Sequence, residues 1–105
     1  MINQVFKYID SNISRFVEEL RALCRQPSIS AQKIGLEETA RMVRDLMKDV
    51  GLEAKLIPIK DGPPIVYGEI QSKSSHKTLL LYNHYDVQPP EPLEEWRYPP
   101  LRGGG

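Results

Sequence analysis

The segment Thr78-Leu79-Leu80-Leu81-Tyr82 constrains this chain more than any other. Its near-continuous apolarity over the length of one strand leaves no polar face, so as a strand it needs cover on both sides. A sheet built around such a strand requires helices on both faces. The helical patterns come earlier. Ile9, Ile13, Phe16, Val17, Leu20, Leu23 and Cys24 recur at three- and four-residue intervals, with Val5 and Phe6 extending the series upstream. They predict one apolar stripe facing a core. Pro27 lacks a backbone donor and disfavours helical geometry in the residue before it, so that helix should stop near Gln26. Ser28 to Lys33 then reads as a loop.

A second helix is predicted over Leu36, Ala40, Val43, Leu46, Met47 and Val50, with Glu37 and Glu38 at its positive end, Lys48 at its negative end and Gly51 as a left-handed stop. Glu53 to Ile59 and Ile65 to Ile70 read as short strands, joined by the turn chemistry of Lys60-Asp61-Gly62-Pro63-Pro64. Pro58 marks the first of them as an edge strand. The expected class is α/β, with two helices and then three strands of a mixed sheet, the third being residues 78–82. Two helices are too few to cover it, so the fold looks unfinished. From Gln88 onward prolines stand at positions 89, 90, 92, 99 and 100, and residues 88–105 read as an irregular Pro/Gly-rich tail.

Charge excludes some functions. Fourteen basic and fourteen acidic side chains cancel in 105 residues, so no net field draws the chain to nucleic acid or an anionic membrane. No apolar run approaches the roughly 20 residues of a membrane span, and the start has no signal-peptide pattern. With the single cysteine, Cys24, no internal disulfide can form, and the expected location is cytoplasmic.

Chemistry concentrates at the end of the apolar run, which leads into Asn83-His84-Tyr85-Asp86-Val87-Gln88-Pro89-Pro90. Alternating side chains put His84 and Asp86 on the same side if the extended geometry persists. A metal-binding histidine offers one neutral ring nitrogen to the ion, and a carboxylate on the other nitrogen fixes the tautomer and raises basicity. His84 is the candidate ligand and Asp86 its orienter. A bare His-x-Asp triplet arises often by chance, and its bland reading is a capped strand end.

The wider wording is more specific. The apolar strand, Asp86-Val87-Gln88-Pro89, Trp96 within Glu94-Glu95-Trp96-Arg97-Tyr98-Pro99-Pro100, and Arg25-Gln26-Pro27-Ser28-Ile29-Ser30 together resemble the zinc aminoacylase and carboxypeptidase family. That family includes carnosine dipeptidase, acetylornithine deacetylase and succinyl-diaminopimelate desuccinylase, and the Asp-Val-Gln-Pro wording is closer to the dipeptidases than to the deacetylases. The resemblance implies a phosphorylase/hydrolase-like domain in which His84 binds one zinc of a two-metal centre, a site type that also accepts other divalent ions, and Asp86, the candidate catalytic residue, steadies its imidazole. It also implies hydrolysis of a dipeptide or an N-acyl amino acid by metal-activated water. The family's bridging aspartate, glutamate base and remaining ligands come later in its chains. Residues 1–105 are therefore expected to be an N-terminal fragment of the catalytic domain, inactive alone, since one histidine cannot hold zinc. Leu101-Arg102-Gly103-Gly104-Gly105 departs from the family's pattern.

Other polar groups carry blander readings. His76 sits in a polar turn, Glu91, Glu94 and Glu95 belong to a proline-rich loop, and Arg41, Arg44 and Lys48 share a helix face balanced by acids. Tyr82, Tyr85 and Trp96 could line a pocket but more often such residues pack. Two rival functions remain: a non-catalytic interaction or oligomerisation module that pairs through an open sheet edge, and a small metal site built on His84 and Asp86 alone.

Overall fold

The computed structural model describes residues 1–103. Gly104 and Gly105, the end of the expected irregular tail, lie outside the described residues. The chain divides into two units, one made of residues 1–26 with 90 onward and the other of residues 27–89.

The first unit is built on α1, Ile2–Arg25, which stops at Gln26 in extended geometry as Pro27 requires. Its apolar stripe was expected to face a core and does not: Ile9, Ile13, Val17 and Leu20 are 39–62% exposed, and Cys24 is exposed as well. Among the described residues this unit supplies no second helix or sheet to cover the stripe, only a 3-10 turn at Leu93–Glu95 and irregular chain. Periodicity fixes which residues share a face, whereas burial needs an opposing surface. At its end the tail meets the C-terminal turn of α1, where Arg25 Nε donates to the Arg102 carbonyl at 3.2 Å. Gly103, with φ +81°, is buried there. A Cβ on it would lie 2.6 Å from Arg25 Nε and 2.9 Å from the Arg21 carbonyl oxygen, so position and backbone both demand glycine.

The second unit holds α2, Leu36–Asp49, and a hairpin of β1, Glu53–Ile59, and β2, Gly62–Glu69. Gly51 at φ +97° ends the α2 region as the sequence suggested. The strands pair antiparallel with Glu53 opposite Glu69, Leu56 opposite Val66 and Ile59 opposite Gly62. Lys60 and Asp61 make the turn, and Asp61 takes φ +59°. β2 begins three residues before the expected Ile65, and the register slips by one between Ile57 and Ile59. The extra residue falls in Gly62–Ile65, where Pro63 and Pro64 cannot donate to a ladder, so a bulge absorbs them within the strand.

Helix α2 packs on both strands. At Gly68 the approach is close enough that a Cβ would stand 2.8 Å from Met47 Sδ and 3.2 Å from Leu52 Cδ2. Ile29, Ala40 and Pro64 are buried in this unit, and Thr39 donates its hydroxyl toward the carbonyls of Gly35 and Pro27. That bond ties the helix start to the segment before it.

The third strand is the clear correction. Residues 78–82 enter no strand, and Leu79, Leu80, Leu81 and Tyr82 are 78–87% exposed. A strand exists by its ladder, and β1 and β2 satisfy only one another, with nothing among the described residues pairing with 78–82. The α/β class stands, with a two-stranded antiparallel sheet in place of three strands of a mixed one.

Candidate metal site

Although the run before it is unpaired, the polar motif is held. Val87 N–H donates to the Ser28 carbonyl at 2.8 Å, forming a parallel bridge between Ile29 and Val87. Ile29 and Ile34 exchange backbone bonds at 2.9 and 3.1 Å, which closes the loop around the 3-10 turn Ser30–Gln32 into a compact platform. Lys33 adopts φ +55° to complete that turn. One residue earlier than Asp86, the Tyr85 hydroxyl donates to the Pro64 carbonyl at 2.6 Å, anchoring the motif to β2. Burial, then the nearby Glu37 and Asp86 carboxylates, push the Tyr85 phenol up from its ordinary value.

His84 and Asp86 come together as their spacing suggested. The imidazole Nδ1 lies 2.9 Å from the Asp86 carbonyl oxygen and 3.1 Å from Asp86 Oδ1. Both partners accept and neither donates, so Nδ1 carries a proton, and in the neutral imidazole Nε2 is the nitrogen with the free lone pair. The His84 side chain is 76% exposed and the Asp86 side chain 42%. Nε2 is thus presented to solvent from a ring fixed at its other nitrogen.

Sequence reasoning missed one member of this arrangement. Ser30 Oγ donates to Asp86 Oδ2 at 2.6 Å, and that bond is the main cause of a carboxyl held below the usual aspartate range, assisted by His84 and opposed by partial burial. Ser30 lies 56 residues away, in a segment read as a loop and as part of the family-like helix exit, with no role given to its hydroxyl. No local pattern could have announced it.

The remaining candidates fall where the blander readings put them. His76, Glu91, Glu94 and Glu95 are exposed, Arg41 pairs with Glu37 at 3.1 Å, and Arg44 pairs with Asp45 at 3.0 Å. Tyr82 and Trp96 are exposed, while Tyr85 packs and bonds. Among the described residues no three His, Cys, Asp or Glu side chains gather where a metal could sit. The donor set here suits one ligand position of a metal centre, an oriented imidazole with a free nitrogen.

Comparison with known proteins gives this geometry a setting. No family model matches the chain. It is 29% identical over 115 residues to the Cys-Gly metallodipeptidase DUG1 of Candida albicans, an alignment covering 95% of this chain and 24% of that one. The Beta-Ala-His dipeptidase of Homo sapiens is 27% identical over 111 residues, covering 91% and 22%. Among solved structures, an M20 family metallo-carboxypeptidase, Sso-CP2 of Sulfolobus solfataricus, matches with a TM-score of 0.73 and 42% identity, over 79% of this chain and 19% of that one. The chain is a homologue of M20 metallopeptidases. Within that class its curated relatives are dipeptidases, as the Asp-Val-Gln-Pro wording suggested. It spans about a quarter of the length of the curated relatives it matches.

No helix is long and apolar enough to cross a membrane among the described residues.

Proposed function

We propose that this chain supplies the first ligand motif of a di-zinc hydrolase that cleaves the amide bond of dipeptides or N-acyl amino acids. The observation that carries the reading is the His84–Asp86 pair, with Nδ1 committed to Asp86 and Nε2 presented outward. His84 is the metal ligand through Nε2, and Asp86 is the residue that orients it. Zinc held there supplies Lewis acidity and activates water toward an amide carbonyl. The chain's own part is to hold one imidazole in a single tautomer and present it. Further ligands come from other polypeptide, continuous with this chain or separate from it, because a catalytic zinc takes about three protein ligands. The relatives' greater length supports that division of labour, and the 105 residues alone are inactive. The free thiol of Cys24 is in keeping with a reducing, cytoplasmic setting.

Zinc titration by calorimetry tests this reading. The chain alone is expected to bind zinc weakly, and the completed enzyme tightly, with His84→Ala abolishing hydrolysis and Asp86→Asn costing about 10–100-fold in zinc affinity. A completed enzyme that kept full zinc content and dipeptidase activity with His84→Ala would end the proposal.

A second reading has its own observation. Leu79 to Tyr82 form an exposed apolar run that joins no strand ladder among the described residues, so the chain can serve as a non-catalytic module that associates with itself through open strand edges. A monodisperse monomer in sedimentation at high concentration excludes it.

A further inference from the structure

We propose that Ser30 is a positioning residue for His84, acting through Asp86, so that the loop of residues 28–34 sets how the imidazole presents Nε2. The inference rests on His84 being a metal ligand and concerns what holds it. Asp86 uses its two carboxylate oxygens in different directions: Oδ1 toward His84 Nδ1 at 3.1 Å and Oδ2 toward Ser30 Oγ at 2.6 Å. A partly exposed carboxylate held by one partner can turn about its own bonds, whereas one held at both oxygens has its plane defined.

Ser30 is suited to this because its own place is fixed. Its carbonyl accepts from Lys33 N–H at 3.1 Å, the adjacent Ile29 is buried, and the Ser28 carbonyl receives Val87 N–H one residue beyond Asp86. The loop and the motif are therefore joined by backbone on one side of Asp86 and by side chain at its tip. Nδ1 also reaches the Asp86 carbonyl at 2.9 Å, so the carbonyl alone offers an acceptor. What the carboxylate adds is a negative charge beside the Nδ1 proton, which favours the tautomer that leaves Nε2 bare. Ser30 decides whether that charge stays in place.

The experiment uses the 105-residue chain without metal. Two nuclear magnetic resonance readouts apply, the His84 tautomer ratio from ring nitrogen shifts above the imidazole titration and the Asp86 χ1 distribution from three-bond couplings. Ser30→Ala is expected to raise the minor Nε2–H tautomer about threefold and to average χ1, since a hydrogen bond of ordinary strength is lost. Ser30→Thr, which keeps the hydroxyl, restores both. Ser28→Ala, in the same loop with no side-chain hydrogen bond from its buried hydroxyl, leaves both unchanged. A Ser30→Ala chain with intact Ile29 and Ile34 amide signals but unaltered tautomer and χ1 overturns the inference. If Ser30→Ala loosens the loop, a folded Ser30→Thr chain decides: native readouts support the role, altered ones refute it. Zinc titration of the completed enzyme separates the two ideas, because loss of any His84-dependent binding would remove the metal reading while leaving the tautomer result standing.

Discussion

Leu79 to Tyr82 and Tyr85 to Val87 lie a few residues apart, and the more apolar of the two is the less attached. The first four residues are largely in water. The later three are tied to Pro64, Ser30 and Ser28 by bonds of 2.6, 2.6 and 2.8 Å. Hydrophobicity drives a segment out of water only where a surface exists to receive it, while a polar contact needs one partner at the right distance. The contrast explains how the motif keeps its geometry beside an unpaired run.

Hydrogen exchange offers the largest expected difference between the two kinds of segment. Amides of residues 79–82 should exchange near the unfolded rate, and the inward amides of the β1–β2 ladder at least about a hundredfold more slowly. Equal protection would mean that the run has found a strand partner, by self-association or otherwise. Substitution sharpens the same comparison. Gly68→Val forces a side chain against Met47 and Leu52, and thermal unfolding should register a loss of about 1–3 kcal/mol. Leu80→Ser, at an exposed site, should change stability by no more than about 0.5 kcal/mol.

Tyr85→Phe removes the hydroxyl bond to Pro64 and should cost about 0.5–1.5 kcal/mol in denaturant unfolding. The smallest effect is in acid. Because the folded Asp86 carboxyl titrates below its ordinary 3.8, its contribution is complete above that value and disappears as the pH falls through the folded value. Carboxyl carbon shifts should show the midpoint moving back up in Ser30→Ala, along with a shallower loss of stability below pH 3.8. An unmoved midpoint would assign the depression to His84 instead.

Local chemistry was legible in the sequence where the cause is local. Pro27 stops α1, Gly51 ends the α2 region, and β1 runs from Glu53 to Ile59 as its pattern and flanking turns indicate. The His84–Asp86 contact follows from a spacing of two. Features set by distant chain were not legible. The bulge at Pro63–Pro64 requires β1 as a template, and the cover over residues 78–82 and the α1 stripe would have to come from surfaces absent among the described residues. Ser30 closes a family-like helix exit in the sequence, but nothing local ties its hydroxyl to Asp86.

That last contact has a kinetic meaning. Joining Ser30 to Asp86 closes a loop of 56 residues, whereas β1 meets β2 across a two-residue turn, so the hairpin can nucleate early and the clasp must wait. Ser30→Ala should accordingly speed unfolding and leave the folding rate nearly untouched. The Ser30–Asp86 clasp behind the imidazole then closes only in a chain whose hairpin has already formed, which makes it a late checkpoint on folding.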